Sequence, residues 1–143
     1  MNKTIGYRIL NIRTIQFATF DSSFDPLETE LRIDTSCSYK VNPEKRYFIC
    51  EIATDFLQKD IPIIRIATQA TFELNEEGFS QFTDDKEFIM PDESVRYFTS
   101  ILYGATRGIL VCKLEGTEFR KFILPPVNLT ETIDHPLHID MKF

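Results

Sequence analysis

Residues 92–114 carry a pattern that strongly limits the possible folds. Apolar side chains recur there at spacings of three and four residues, the repeat of a helix that buries one face. Asp92 stands where a carboxylate can cap the first turn, while Lys113 and Gly116 are typical of a helix end. Such a helix is about 33 Å long, enough to cross a small sheet. The predicted buried stripe consists of Val95, Phe98, Ile101, Leu102, Ala105, Ile109 and Cys112.

Four earlier stretches predict β-strands. Residues 27–41 alternate between apolar and polar side chains, as in a strand with one wet face. Residues 46–57 and 61–74 alternate in a similar way after short turns. Residues 4–20 alternate too, but their apolar side chains change parity twice, which requires bulges or bends. The short connections predict a four-stranded antiparallel meander.

These elements predict a single α+β domain, residues 1–143, in which the long helix backs the sheet. An acidic connection with a short helical turn, residues 75–91, precedes the helix. An extended arm, residues 117–124, follows it, and the polar tail 129–143 is expected at the surface. One helix is too narrow to cover four long strands, so the remaining apolar area faces a second protomer or an open groove. Self-association is therefore expected.

The composition argues against several classes of protein. A net charge of −6, with basic residues scattered among acidic ones, argues against nucleic-acid binding. Neither a signal peptide nor a membrane-spanning stretch is evident, and Cys37, Cys50 and Cys112 lack disulfide or zinc spacing. We therefore expect a cytoplasmic protein without membrane insertion. Thirteen phenylalanines and no tryptophan indicate either a Phe-rich core or an exposed apolar groove.

Side chains with catalytic or metal-binding chemistry are sparse. His135 and His138 lie three residues apart between two aspartates, a spacing compatible with a metal ion. Pro136 argues against a helix there, so a surface tail is the simpler interpretation. The sequence contains no phosphate-binding glycine loop and no nucleophile motif. We expect no catalytic residue, no metal and no cofactor, and hence a protein that is not an enzyme.

Arg107 lies in the middle of the predicted helix, between Gly104 and Gly108. The arginine can bind an anion, or it can pair with a carboxylate or a carbonyl at a helix contact, which is the commoner role. The two glycines form a small notch, although each costs up to about 1 kcal/mol in helix propensity. We interpret Gly104, Arg107 and Gly108 as an oligomer interface at which another helix approaches closely; a kink is the alternative.

Several short motifs resemble the SecB family of protein-export chaperones. Members carry an apolar helix with a central arginine, then Gly-Thr, a polar extended arm and a Pro-Val-Asn or Pro-Ile-Asn signature. The resemblance extends over residues 5–130 and implies the SecB α+β fold, protomers that form homodimers or homotetramers, and binding of unfolded polypeptides without ATP. The matching residues are Ile101-Leu102-Tyr103, Arg107, Ile109, Gly116-Thr117 and Leu124-Pro125-Pro126-Val127-Asn128, with Cys50-Glu51-Ile52 and Ala70-Thr71-Phe72 in the strand half.

The resemblance also implies a groove for polypeptide clients between sheet, helix and connecting loop. Apolar side chains of the connection, the helix and the arm are the candidates to line it, with core packing as the alternative role of each. These candidates are Phe79, Phe82, Phe88, Tyr97, Phe98, Ile101, Leu102, Phe119 and Phe122.

Docking of the translocase motor SecA is not expected. Family members present acidic side chains on the first and fourth strands, and an acidic C-terminal tail, for this contact. Thr14, Ala18 and Arg65 stand at the comparable places here, and the acidic tail is missing. We therefore expect a divergent SecB-like chaperone serving protein export or a toxin–antitoxin client. An assembly subunit that binds one folded partner is the alternative, and an enzyme or small-molecule binder ranks last.

Overall fold

The computed structural model describes residues 6–141, so Thr4 and Ile5 of the first predicted strand lie outside it. The described part of the chain forms four long strands, one long helix and several short elements, which include a 3₁₀ turn at Asp21–Ser23. The elements are β1 Tyr7–Thr19, β2 Arg32–Asn42, β3 Tyr47–Gln58, β4 Ile61–Leu74, α1 Glu76–Gln81, β5 Thr83–Asp84, β6 Glu87–Met90, α2 Asp92–Leu114, α3 Leu129–Thr132 and β7 Leu137–Asp140.

The four long strands form one antiparallel sheet in the order β1-β4-β3-β2. The α+β class and the four-stranded antiparallel sheet are thus confirmed. The predicted meander is right for β2, β3 and β4 but wrong for β1, which pairs with β4 rather than β2. A hairpin needs a short turn, whereas residues 20–31 form a longer connection that crosses the end of the sheet. The result is a Greek-key order.

Two bulges keep β1 in phase with the inner face of the sheet. Its pairing with β4 shifts register at residues 9–11 and again at residues 14–16. Each extra residue turns the following side chains to the opposite face, so Tyr7, Ile12 and Phe17 all pack against the core. The bulges predicted from the parity changes in the sequence are confirmed.

The helix α2 has the predicted bounds, Asp92–Leu114, but its first turn differs from the prediction. Pro91 occupies the capping position, and no side chain caps the helix. Asp92, predicted as the cap, instead lies inside the first turn and accepts a hydrogen bond from Arg96 Nη1 at 2.9 Å. At the other end, Gly116 has a φ of +78°, a left-handed conformation that favours glycine after a helix.

The buried face of α2 agrees with the predicted stripe only in its first half. Farther along, Thr106 points inward, where its hydroxyl donates to the Leu102 carbonyl (2.7 Å) and lies 2.8 Å from the Thr68 hydroxyl on β4. A hydroxyl satisfied in this way can occupy a core position. The buried residues are Val95, Phe98, Thr99, Leu102, Tyr103, Thr106, Leu110 and Leu114, and the stripe residues left partly or fully exposed are Ile101, Ala105, Ile109 and Cys112.

Aromatic rings from α2 and the two central strands fill the middle of the core. The Phe98 ring centroid lies 4.7 Å from that of Phe72 on β4 and 5.5 Å from that of Phe48 on β3. Each of the three side chains is at most 2% exposed. Aromatic pairs of this kind add about 0.5–1.5 kcal/mol beyond the burial of area. These contacts anchor α2 on the sheet.

The arm predicted for residues 117–124 is free of turns only from Phe122 onward. Before that point the chain forms turns, one of them closed by a hydrogen bond from Phe119 N to Thr117 Oγ1 at 3.1 Å. Phe119 and Phe122 point inward onto Phe24, with ring centroids 4.6 and 5.8 Å from it. Among residues 6–141, no helix is long and apolar enough to cross a membrane.

The C-terminal residues belong to a second, three-stranded sheet, which corrects the prediction of a surface tail. β7 pairs with β6, and β6 with β5, so the chain returns to the connection that precedes α2. Ile133 and Met141 are buried, with 9% and 3% of their surfaces exposed. A four-residue strand carries too little alternation to be predicted from its own sequence. Residues 124–141 are called the strap below.

Candidate functional site

An open groove of about 670 Å³ lies between β2, α2 and the strap. Its volume falls within the range of ligand-binding clefts. Every second side chain of β2 faces the groove, because successive strand residues point to opposite faces. The principal lining residues are Ile33, Thr35, Cys37 and Tyr39 of β2, Val95 and Tyr103 of α2, and Val127, Leu129 and Leu137 of the strap.

Two side chains of α2 hold the beginning of the strap by its backbone. Tyr103 Oη donates to the Pro125 carbonyl at 2.6 Å, and Arg107 Nε donates to the Leu124 carbonyl at 2.8 Å. The Arg107 guanidinium also lies 5.4 Å from the centroid of the Tyr103 ring, a cation–π arrangement. These contacts confirm that Arg107 pairs with a carbonyl at a helix contact, and they position one wall of the groove.

A third side chain of α2, Arg96, holds the strap farther along. Its Nη1 donates to the Ile133 carbonyl at 2.7 Å and to Asp92 Oδ2 at 2.9 Å. The hydrogen bond from Arg96 lowers the pKa of Asp92, so this carboxylate stays charged and orients the guanidinium. The strap is therefore fixed to α2 at both ends of the groove.

Tyr39 forms part of the floor of the groove. Its ring stacks on Phe48 with centroids 5.7 Å apart, and its hydroxyl lies 2.8 Å from the Thr99 hydroxyl. Burial raises the pKa of Tyr39 and that of Cys37, and it raises the pKa of Cys50 behind them to about 12. All three groups are therefore neutral at pH 7. The floor offers uncharged surface and no activated thiolate.

The ionisable groups on the outer wall of the groove are two histidines. His135 Nδ1 lies 2.8 Å from Asp134 Oδ1, and His138 Nδ1 lies 2.7 Å from Glu87 Oε1. Aspartate, glutamate, lysine and arginine do not occur among the residues that line the groove. Within residues 6–141, no group of three or more histidine, cysteine, aspartate or glutamate side chains is placed to hold a metal ion. The groove is therefore suited to uncharged, apolar surface.

The side chains predicted to line a groove lie elsewhere. Seven of the nine are in the hydrophobic core, at most 9% exposed. Tyr97 is 51% exposed and meets Tyr7 of β1, and Ile101 is partly buried; neither lines the groove. This chain has no tryptophan, so phenylalanine supplies the large side chains of the core. These phenylalanines are therefore buried in the core instead of lining a groove. The seven core residues are Phe79, Phe82, Phe88, Phe98, Leu102, Phe119 and Phe122.

A second apolar surface runs along α2 beside β1. We call Ala105, Gly108, Ile109 and Cys112 the uncovered stripe; they line a shallow hollow together with Lys113. Lys113 Nζ lies 5.6 Å from the centroid of the Phe17 ring, which places the stripe next to β1.

The two glycines of the predicted oligomer interface have no neighbours in the chain that require them. A Cβ atom added at Gly104 or Gly108 would meet no atom within 4 Å. Arg107, in contrast, contacts the strap of its own chain. The role of Gly104, Arg107 and Gly108 in an oligomer interface stays a prediction.

The strap side of the groove was not predicted, although two features of the sequence indicate it. Pro125 and Pro126 have no backbone N–H, so this segment is a poor candidate for a strand of the main sheet, and it lies outside that sheet. Ile33 and Tyr39 lie on the apolar face of β2, which a single helix cannot cover completely. Together these features define a gap between an incompletely covered strand and a segment that cannot pair with it.

Comparison with known proteins supports the fold. No family model matches this sequence, and no curated protein matches it significantly. The structure is similar to that of the SecB-like chaperone Rv1957 of Mycobacterium tuberculosis, solved in complex with a ChAD peptide from the HigA1 antitoxin. The TM-score is 0.53 at 15% sequence identity, and the match covers 85% of this chain and 90% of that chain. This chain therefore has a SecB-like fold.

Proposed function

We propose that this protein is an ATP-independent, SecB-like chaperone that holds unfolded or nascent polypeptides in the groove between β2, α2 and the strap. The observation that carries the proposal is an open groove of about 670 Å³ whose lining lacks acidic and basic side chains other than histidine. Unfolded chains expose apolar side chains, and burying them stabilises the complex by roughly 25 cal/mol per Å². No aspartate, glutamate, lysine or arginine in the lining selects clients by charge, so binding would show little sequence preference and would make or break no covalent bond.

The contact residues in this proposal differ from those expected from the sequence. The groove is lined by side chains that include Ile33, Tyr39, Val127 and Leu129, and we assign client binding to these residues. The phenylalanines are buried in the core and could contact a client only if the protein unfolded. The peptide-bound SecB-like chaperone of similar fold supports a polypeptide as the client. The proposed clients are export precursors or an antitoxin of a toxin–antitoxin system.

Recognition by SecA is not part of the proposal. Two acidic side chains on the outer face of the sheet are paired with arginines: Asp55 with Arg65 at 2.7 Å and Glu73 with Arg8 at 2.8 Å. Paired carboxylates offer a partner less free negative charge. We place the protein in the cytoplasm, and its free cysteines support a reducing compartment.

Self-association is the second part of the proposal. The uncovered stripe is apolar and contains Gly108, which would allow another helix to approach closely. We propose that a second copy of the chain covers this stripe in a homodimer or homotetramer. The groove lies on the β2 side of the fold, so it would remain open in the oligomer.

Substitution Val127→Glu is expected to weaken binding of an unfolded, apolar-rich polypeptide about tenfold, because the client would bury a carboxylate without a partner. Val127 lines the groove and is 43% exposed, so the substitution does not disturb the core. The measurement is fluorescence anisotropy with labelled, reduced and carboxymethylated α-lactalbumin, without nucleotide.

Ile61→Glu provides the matched control, because Ile61 is 52% exposed at the start of β4 and lines neither the groove nor the uncovered stripe. It should bind the unfolded chain like the unmodified protein. Equal binding by the Val127 and Ile61 variants would show that the groove is not the binding site. If the unmodified protein ignores unfolded chains but binds one folded protein tightly, the alternative of an assembly subunit is correct.

A further inference from the structure

The connection between β1 and β2, residues 20–31, is long but closely held by the rest of the chain. The ring of Phe24 packs on the core ring of Phe119, with centroids 4.6 Å apart. Gln58, at the end of β3 and only 5% exposed, accepts from Asp25 N at 2.9 Å and donates to the Asp25 carbonyl at 3.0 Å. Ordered connections of this length with so little secondary structure are uncommon, and many of them are functional.

Two residues of the turn between β3 and β4 also hold this connection, although their backbones are strained. Lys59 and Asp60 have φ angles of +48° and +66°, in the left-handed region that glycine and asparagine adopt more readily. Lys59 Nζ lies 3.0 Å from Glu28 Oε2, and Asp60 pairs with Arg32 at the start of β2. An asparagine–glycine turn would relieve the strain but would lack both ion pairs. The turn therefore carries side chains that fix the connection.

The connection presents two leucines to solvent. Leu27 is 89% exposed, more than any other large apolar side chain within residues 6–141, and Leu31 is 41% exposed. Leu27 follows Pro26, whose φ is fixed by its ring, and its own N–H donates to Asp25 Oδ1 at 3.0 Å. Neither leucine lines the groove or the hollow along the uncovered stripe. A rigid backbone with an exposed apolar tip is suited to recognition, because little conformational freedom is lost on binding.

The charges around the two leucines are mostly negative. Residues 25–34 and 58–61 carry five carboxylates and two cationic side chains. Both cations are already paired with carboxylates of the same two segments, whereas Glu30 makes no ion pair within residues 6–141. A second copy of this surface, a nucleic acid or an anionic membrane would bring further negative charge to it. The surface is therefore complementary to a protein segment that combines basic and apolar side chains.

We propose that Leu27, Leu31 and Glu30 form a docking surface for a basic segment of a partner protein. The leucines pack against apolar side chains of this segment, and its lysines or arginines meet Glu30 and the neighbouring carboxylates. Because these residues lie outside the groove, the partner and an unfolded client can bind at the same time. The inference goes beyond the proposed function and does not depend on it.

Two synthetic peptides test the docking surface. One is a capped peptide of about twelve residues built from leucine and lysine in a helical pattern, and the other has glutamate in place of each lysine. We expect the lysine peptide to bind at least about tenfold more tightly, with an affinity that falls as salt is added. Leu27→Ser should weaken its binding about tenfold, because the apolar contact is lost. Isothermal titration calorimetry on the complete protein gives the affinities.

A pair of charge reversals separates the docking surface from the charge of the whole protein. Glu30→Lys should weaken binding of the lysine peptide about tenfold. Glu44→Lys should change it less than about twofold, because Glu44 is exposed in the turn between β2 and β3, at the opposite end of the main sheet. Equal losses for the two variants would overturn the docking surface, since they would show attraction to the net charge alone.

Two further outcomes would also overturn this docking surface. One is that the lysine peptide fails to bind the unmodified protein. The other is that Val127→Ser weakens the peptide while Leu27→Ser does not, which would place the peptide in the groove. Neither outcome decides whether the groove holds unfolded clients, because that question is settled separately with carboxymethylated α-lactalbumin.

Discussion

Substitution Phe98→Ala is expected to lower the free energy of unfolding by about 3–5 kcal/mol. Phe98 is 2% exposed, and its ring lies within 4.7–5.5 Å of Phe72, Tyr7 and Phe48, measured between centroids. These residues belong to β4, β1 and β3, so the ring joins α2 to three strands. Its removal leaves a cavity that the surrounding rings cannot fill without moving.

Tyr97→Ala is the matched control for this substitution, because the adjacent aromatic residue is 51% exposed. It should cost about 1–2 kcal/mol, because the exposed ring loses only its contacts with Tyr7 and Phe98 and leaves no cavity. Urea unfolding followed by circular dichroism, at one fixed protein concentration, measures both values. Similar losses for the two variants would contradict the assignment of Phe98 to the core and Tyr97 to the surface.

Substitution Ile109→Glu is expected to dissociate the oligomer. The proposed interface is apolar along Ala105, Gly108, Ile109 and Cys112, so a carboxylate at its centre would be buried without a partner. We expect the dissociation constant between protomers to rise at least about a hundredfold, equivalent to about 2.7 kcal/mol. Light scattering should then report a protomer of 16.7 kDa instead of a multiple of it.

Ile61→Glu is the control for the oligomer experiment. Ile61 is 52% exposed at the start of β4 and lies outside the uncovered stripe, so the same change of charge should leave the mass unaltered. Cross-linking through Cys112, the exposed cysteine of the stripe, gives a second readout. A monomeric unmodified protein, or an unchanged oligomer after Ile109→Glu, would exclude this interface.

Local periodicity was sufficient to predict the four long strands and the long helix, but not the short strands of the second sheet. The bounds of α2 follow from apolar spacing and from Gly116, and the bulges of β1 follow from two changes of parity. The partner of β1 could not be predicted in the same way, because alternation defines the faces of a strand and not its neighbour. Residues 20–31 are long enough to reach either edge, and only the packed structure determines which one.

The residues of the candidate groove could be predicted from the sequence much less well than the fold. The place of Val127 in the groove depends on how the strap meets α2, where Tyr103 and Arg107 hold the strap by its backbone carbonyls. Such contacts leave no pattern in the residues that accept them, since every residue has a carbonyl. Hydrophobicity alone therefore assigned the strongest apolar side chains to the groove, although they form the core.

Mass measurement by light scattering, with and without a permanently unfolded polypeptide, tests chaperone action most directly. Reduced, carboxymethylated α-lactalbumin is a suitable client because it cannot refold. We expect an oligomer that binds this chain reversibly at stoichiometric ratio without nucleotide, and that prevents the aggregation of unrelated unfolded proteins. A monomer that forms no complex and leaves their aggregation unchanged would contradict the chaperone function.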